Sequence, residues 1–490
     1  MLTNFQIKSS KLHASISLGD EQRLEQRAWI SVLIGQNGSR KSYVLRQLME
    51  SSLGKRSYTD LKRRKVVTET TGWPQDKPSG GTICISGTPL DRFSRVGSPL
   101  LGAHTPRQFW YLGQRASNGM AGTGQSERAL ITALLENADL LPERQHLLEG
   151  VFSHLGLKPQ IIIQLKLSKE FAKAVKSYHT ATYFASDILE EVAKKLKTQY
   201  LGTTRLTHLH TRLHAAFEKL DSNEHFSVFK LANRFDTSKS PASLKFEHGT
   251  FQMENGPSQE WGTAELELLL HAGFLEIDKT FFTRSSKTDD PRTLSEECLE
   301  GEDLSSGQWS WLCGFAGLCA TVKPHSLVLV DEPENSLHPA WQLQYIPMLN
   351  SILREFQGTQ AVIATHSPLI ASGVAPEWGN VQTLEYTEAD KNGTHRLSTR
   401  PIASTFGWTA SDVYQEVFQL DSARAPAFTK TAEYALSLIR SNQSLDDNAC
   451  KIIANDLFKD VDTLPVHDPL RNVLLDITDE LKLRAGDERQ

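Results

Sequence analysis

The apolar run WISVLI at residues 29–34 passes without a polar break into the glycine-bearing loop GQNGSRKS, and from there into the helix-like YVLRQLME. A buried strand that turns directly into a helix leaves that helix's first amides free, and the unit belongs in an α/β sheet. The loop has the spacing of a phosphate cradle, G-x-x-x-x-G-K-[ST], with one departure. Arg40 stands immediately before the lysine, where the pattern has glycine. Gly35 and Gly38 still allow the turn and the close approach of the backbone through Gln36, Asn37 and Ser39. Lys41 would reach the β- and γ-phosphates of ATP, and Ser42 would offer its hydroxyl to Mg2+. Arg40 lies where the loop enters its helix. In the right-handed region its side chain is allowed and points away from the nucleotide, whereas positive φ would cost about 1–2 kcal/mol. The right-handed conformation is the expectation, with Arg40 an added cation or a contact to a facing chain, and slower turnover at such a site its consequence.

At 490 residues the chain is long enough for two or three domains or one elaborated domain, and 39% hydrophobic with 23% charged residues is a globular composition. A formal charge of −5 supplies no global attraction to nucleic acid. The longest apolar run, WSWLCGFAGLCATV at 309–322, is shorter than the roughly 20 residues that a membrane span requires. The opening MLTNFQIKSSKLHASISL alternates like strands at 3–8 and 12–18 and lacks the apolar block of a signal peptide. Cys84, Cys298, Cys313, Cys319 and Cys450 form no ligand pairs, so they read as reduced thiols in a cytoplasmic protein.

GTICISGT at 81–88 and FWYLGQR at 109–115 read as further buried strands, the second reaching Gln114. Helical periodicity runs from about Ser126 to about Phe235, interrupted by the strand-like PQIIIQLKL at 159–167. A helix is predicted at 263–273, and three or four helices follow the polar loop EADKNGTHR.

The block from Leu304 carries the chemistry. SLVLVDE is an apolar strand ending in Asp331 and Glu332. Asp331 would share a hydrated Mg2+ with Ser42, and Glu332 would orient and deprotonate the attacking water. Upstream, LSSGQ, comprising Leu304, Ser305, Ser306, Gly307 and Gln308, would open a helix and aim amides and the Ser306 hydroxyl at a phosphate. Downstream, QAVIATHSP presents a strand ending at His366, placed to bond the γ-phosphate or the water.

Four such motifs in this order resemble an ABC-type ATPase head of the SMC and overcoming-lysogenization-defect kind. The resemblance implies a mixed β-sheet with flanking helices, a helical insertion and a helical C-terminal tail. It divides the chain into 1–125 (glycine loop and Q-loop), 126–250 (mainly helical insertion), 251–395 (signature, Asp-Glu strand and switch histidine) and 396–490 (tail). It assigns Gln114 to the Q-loop, beside the metal and nucleotide, and Glu334–Pro339 to the D-loop. It also implies that two heads pair head to tail in a homodimer or higher homo-oligomer, the signature of one closing over ATP held by the other.

DEPENSLHPAWQLQYIPMLNSIL, VIATHSPLIASG, ELELLLHAGFLEI, GWTASDVYQEVF and ISGTPLDRF followed by YLG are similar to the ATPase subunits of Septu anti-phage systems, the PtuA family. That family implies control of a separate HNH-type, PtuB-like nuclease. Its retron-linked members also bind a reverse transcriptase and its RNA–DNA product. The competing expectation is a DNA-repair or recombination ATPase whose heads clamp duplex DNA.

A nuclease site within this chain is not expected. Asp460-x-Asp462 sits in helical surroundings, and His208, His210 and His214 lack the carboxylate of H-E-x-x-H. The basic run Lys62, Arg63, Arg64 and Lys65 suits a solvated strand edge better than a phosphate contact.

Overall fold

A computed structural model describes residues 1–19, 28–36, 38–55, 57–59, 65–73, 78–89, 91, 93, 109–114, 122–169, 242–255, 263, 266, 270, 275–285, 298–387, 393–420, 424–441 and 447–484. Asn37, Lys62, Arg63, Arg64, His208, His210 and His214 lie outside them. The chain forms two compact units, residues 1–407 and 408–490.

The first unit is the expected α/β fold. Its larger sheet has eleven strands in the order β4-β5-β1-β2-β16-β15-β3-β14-β13-β6-β7. They are β1 (Asn4–Ser9), β2 (Leu12–Ser17), β3 (Ala28–Ile34), β4 (Ser57–Thr59), β5 (Lys65–Thr71), β6 (Thr82–Ser86), β7 (Phe109–Gly113), β13 (Leu327–Asp331), β14 (Thr359–Thr365), β15 (Gly379–Thr387) and β16 (His395–Ile402). From β15 to β7 all neighbours run parallel. A parallel sheet is covered on both faces, so its strands have to be apolar throughout. Every residue of β3, β6, β13 and β14 is buried. The strands from β16 to β4 form a wing in which β1 alternates antiparallel with both β2 and β5. Lys65 opens β5, so the described end of the basic run does lie in a strand next to the edge strand β4.

The helix α1 (Lys41–Ser52) returns across this sheet against β13 and β14, sealing one face with Val44, Leu45, Leu48 and Met49. A second, five-stranded antiparallel sheet has the order β10-β9-β8-β11-β12. Its members are β8 (Leu157–Leu167), β9 (Ala242–Glu247), β10 (Thr250–Asn255), β11 (Leu275–Arg284) and β12 (Cys298–Glu300). Within 126–250 the described residues therefore supply strands as well as α2 (Thr123–Glu136) and α3 (Gln145–His154). Of the helix predicted at 263–273, residues 263, 266 and 270 are described, and they are helical.

Between the sheets the chain runs through α4 (Ser306–Trp311), a π-helical turn at Leu312–Ala316 and α5 (Gly317–Thr321). Trp311 is buried against His154, with ring centroids 4.1 Å apart, and also contacts Phe315, Trp341 and Tyr345. The buried guanidinium of Arg144 donates to the carbonyls of Cys319 and Ala320 at the end of α5, closing that helix with a cation. Two more helices follow, α6 (Pro339–Leu353) and α7 (Pro368–Ala371).

The second unit contains α8 (Ala410–Glu416), α9 (Pro426–Ser441), α10 (Asp447–Asp462) and α11 (Pro469–Arg484). Its core is Ala435, Ala454, Leu457, Val461, Leu474 and Leu481. Asp460 and Asp462 both fall on α10, so this acidic pair lies on a helix and not at a strand end, and Asp462 Oδ1 stands 3.7 Å from Arg471 Nη2. The tail predicted as helical begins with β16, and its helices start only at Ala410.

One glycine ties the sheet to the site. A Cβ on Gly87, just after β6, would come within 2.2 Å of the Glu332 carbonyl oxygen, and the Gly87 amide donates to the Asp331 carbonyl. Gly87→Ala should destabilise the protein by about 2 kcal/mol or more, because the obstructing atom is backbone and cannot rotate away. Chemical denaturation of the purified variant beside wild type measures it.

Candidate functional site

The parallel strands end in register. Gly113 pairs with Ser86, Ser86 with Asp331, Asp331 with Ala364, and Thr365 with Ile34. The residues that follow each strand, Gln114, Gly87, Glu332, His366 and Gly35, are thereby brought to one edge of the sheet, where α/β proteins bind ligands. Gln114 sits two strands from β13, about 10 Å at ordinary strand spacing, and its carbonyl accepts from the Gly122 amide.

Ser42 Oγ donates to Asp331 Oδ1 at 2.9 Å, which brings the loop and the acidic strand end together. Lys41 Nζ folds back over the loop to the carbonyl of Gly35 (2.7 Å) and Ser39 Oγ (3.2 Å), and reaches His366 Nδ1 at 3.3 Å. When Lys41 is charged its ammonium can only donate, and in that state Nδ1 accepts and Nε2 bears the imidazole proton. That nitrogen faces Glu332 Oε1 at 4.0 Å, and Glu332 Oε2 accepts from Asn335 Nδ2 at 2.9 Å. Lysine, histidine and glutamate thus form one polar chain around the loop.

The helix that follows the glycine loop carries no side-chain cap at Arg40, so no capping group competes with an anion at its N-terminus. The signature helix α4 differs. Ser305 Oγ accepts from the Gln308 amide and Gln308 Oε1 from the Ser305 amide, a reciprocal capping box. The Gln308 amide and side chain are therefore committed within the helix, while Ser305 and Ser306 are exposed. Leu304 is buried, and Gly307 packs so closely on the D-loop that a Cβ would approach the Ser336 carbonyl oxygen to 2.4 Å.

Arg40 corrects the expectation drawn from the sequence. Its φ of 67° and ψ of 26° are left-handed, not right-handed. The side chain does leave the loop: the guanidinium carbon lies 4.9 Å from the Tyr386 ring centroid, and Nη2 donates to Tyr386 Oη at 3.2 Å. Glu332 and Ser336 also have positive φ, 47° and 68°, so the turn after β13 holds further non-glycine residues in the left-handed region.

Glu334, placed by sequence only at the start of the D-loop, has a larger part in the geometry. Its Oε1 accepts from the His366 amide at 2.5 Å, and its Oε2 accepts from Thr365 Oγ1 at 2.8 Å. Gln342 on α6 adds a second brace, donating to the Leu337 carbonyl and accepting from Ser367 Oγ. The acid at the fourth position of DEPE was the available signal, but its partners are made only by the fold. A comparable tie underlies ISGTPLDRF and YLG: Tyr111 Oη donates to the buried Asp91 carboxylate, which also accepts from the Phe93 amide.

Burial dominates the electrostatics. It pushes the Asp331 carboxyl up to about 7, with the Ser42 hydrogen bond opposing and Glu332, Asp91 and Glu334 adding to the rise. Burial likewise raises Glu334 against its hydrogen bonds. Lys41 is lowered to about 8 by burial, an effect that Glu334, Glu332 and Asp331 partly reverse. His366 is lowered by burial and then by the Lys41 charge. The donor set at the strand end is hydroxyl and carboxylate oxygen, which fits a hard divalent cation. No cluster of three or more His, Cys, Asp or Glu able to hold a metal occurs among the described residues, so such an ion would be completed by water and substrate oxygens.

Residues 154–372 match the family model described as AAA domain, putative AbiEii toxin, Type IV TA system, a span that includes α4, β13 and His366 and begins after the glycine loop. Septu protein PtuA of Bacillus thuringiensis is 28% identical over 120 residues, 24% of this chain and 28% of that protein. Protein ea59 of Escherichia phage lambda is 35% identical over 118 residues, 24% of this chain and 21% of that protein. Each match thus takes in less than a third of the relative's length. Among solved structures, an SMC head bound to the C-winged helix domain of ScpA aligns over 82% of this chain and 98% of that one, at 11% identity and a TM-score of 0.28. No helix among the described residues is long and apolar enough to cross a membrane.

The Asp331 shift makes a stability prediction. Its folded pKa stands above the ordinary 3.8, so the native state holds the proton more tightly and loses stability as pH rises toward 7. Asp331→Asn keeps an acceptor for Ser42 and removes the buried charge. In nucleotide- and metal-free buffer it should raise the melting temperature by roughly 2–6 °C at pH 8 and by much less at pH 5. Melting curves of both proteins across that range check it.

Proposed function

We propose that this chain is the Mg2+-dependent, ATP-binding and hydrolysing regulatory subunit of an anti-phage defence complex of the Septu type. In this reading it controls a separate HNH-type nuclease through ATP-dependent pairing of heads. The observation that carries the ATPase reading is the Lys41–His366–Glu332 chain beside the Ser42–Asp331 pair, all at one strand edge. The likeness to PtuA supports the defence role.

The residues divide the chemistry as follows. The N-terminus of α1, which no side chain caps, and the Gly35–Ser42 backbone hold the phosphates, and Lys41 leaves His366 for the β- and γ-oxygens. Ser42 and Asp331, with Gln114 nearby, would hold Mg2+, which neutralises phosphate charge when bound. Glu332 accepts the proton of the attacking water. The imidazole Nε2 of His366 donates a hydrogen bond to the γ-phosphate or to that water. Glu334 holds the His366 amide and so joins the D-loop to this position. The exposed Ser305 and Ser306 serve a second head: ATP gripped by one chain is closed over by the signature of the other. Binding then glues two copies together, and hydrolysis separates them.

Two substitutions test the shared site. Glu332→Gln keeps the side-chain shape and removes the base, so ATP turnover should fall by at least about a hundredfold and a nucleotide-bound oligomer should persist on gel filtration. Ser306→Arg should leave ATP affinity of the single chain within about twofold of wild type while abolishing ATP-driven assembly, because ATP is gripped by the other head's loop. Equal dissociation of Glu332→Gln and wild type in ATP would overturn the pairing mechanism. Affinity purification of the chain expressed with its neighbouring genes should recover a nuclease subunit, and retention of duplex DNA alone would favour a DNA clamp.

A further inference from the structure

We infer that Tyr386 is a positioning residue for the nucleotide-binding loop and acts through Arg40. The inference rests on the reading of Gly35–Ser42 as that loop.

The usual glycine before the lysine enters the left-handed region freely and leaves it as freely. Arg40 occupies the same region at φ 67°, where a side chain is unfavourable and persists only if the surroundings impose it. No side chain caps α1, so the helix start does not impose it locally. The contacts that do are on β15. The Arg40 guanidinium lies over the Tyr386 ring at 4.9 Å and Nη2 donates to the phenol oxygen at 3.2 Å. The combination is a cation on an aromatic face with a directed hydrogen bond from the same group.

Tyr386 is itself well held. Its ring stacks on His395 with centroids 4.9 Å apart and an interplanar angle of 21°, and its backbone pairs with Leu397 of β16. The same strand runs hard against the loop. Thr383 pairs with Ile34, and a Cβ on Gly35 would stand 3.1 Å from the Leu384 carbonyl oxygen. The β15–β16 pair therefore touches both ends of the loop, at Gly35 through backbone and at Arg40 through Tyr386.

Lys41 and Ser42 follow Arg40 directly, so the dihedrals of Arg40 set the direction in which both side chains and the first amides of α1 leave the loop. An arginine latched by Tyr386 replaces the freedom of glycine with a preset turn. Without Tyr386, the strain at Arg40 relaxes toward the right-handed region and carries Lys41 and Ser42 out of position. Without the arginine, Tyr386 has nothing to hold.

A double-mutant cycle tests this, using the full chain, Mg2+ and a fluorescent ATP analogue. Tyr386→Ala should weaken binding about five- to tenfold in the wild-type background and less than twofold in the Arg40→Gly background. Tyr386→Phe keeps the ring and loses only the hydrogen bond, so its loss should be smaller than that of alanine. Equal losses in both backgrounds, or none, overturn the latch and leave Tyr386 a packing residue. If Tyr386→Ala does not fold, the phenylalanine variant runs the same cycle with the same criterion. Melting of the nucleotide-free proteins gives a second reading: Tyr386→Ala should lower the midpoint more in the wild-type background than in the Arg40→Gly background. If wild type binds no analogue, the nucleotide reading fails, and the latch is still decided by these melting curves.

Discussion

The hydrogen bond from Ser42 to Asp331 joins positions 289 residues apart, and the site exists only because the sheet makes it possible. β3 delivers the glycine loop, β13 delivers the acids, and β14 lies between them carrying His366. A shift of one residue in either pairing would turn the apolar strands over and separate hydroxyl from carboxylate. The strands hold register because every side chain on them is buried, so no slipped pairing can hide the same surface. The long interval between the two halves is absorbed elsewhere, including the second sheet and α2 and α3.

The cost of that convergence is charge. Asp331, Glu332 and Glu334 meet in a volume with one lysine, and burial works against each ionised form that it shifts. The protein meets part of this cost with hydrogen bonds: Ser42 to Asp331, Asn335 to Glu332, Thr365 and the His366 amide to Glu334. The remainder is an environment suited to a cation and to phosphate, which would balance one another there. Left-handed residues at Arg40, Glu332 and Ser336 sit within the same short radius of sequence motifs, as expected where function overrides local preference.

The parallel half of the sheet is plain in the sequence, since β3, β6 and β13 are apolar runs with glycine or acid at their ends and β14 is a similar run followed by His366. The second strand of the glycine loop's companion pair, ending at His366, was equally plain. Much else was not. β15 and β16 read VQTLEYT and HRLSTRPI, mixed in polarity because they leave the doubly covered part of the sheet for its wing, so β15 gives no strand signal within the head and β16 falls largely in the segment expected to be a helical tail. β9, β10 and β12 run for only three to six residues, and β11, though ten residues long, has two register shifts against β8 and no regular alternation of buried and exposed positions. The left-handed conformation of Arg40 is not legible locally, because its partner Tyr386 is 346 residues away and no local propensity reports such a contact. Glu334 was named only as part of a motif for the same cause, its two acceptor bonds being made to β14 and the residue after it.

The aromatic group around Trp311 has a consequence outside chemistry. Trp311 and Trp341 sit on the helices that follow the signature and the D-loop, and the imidazole of His154 stacks on the first and meets the second edge-on. Indole emission is sensitive to an adjacent imidazole and to small changes in stacking. The chain therefore carries an intrinsic optical reporter at the junction of signature helix, π-helical turn and D-loop helix, and the light it emits will register rearrangement there with no label attached.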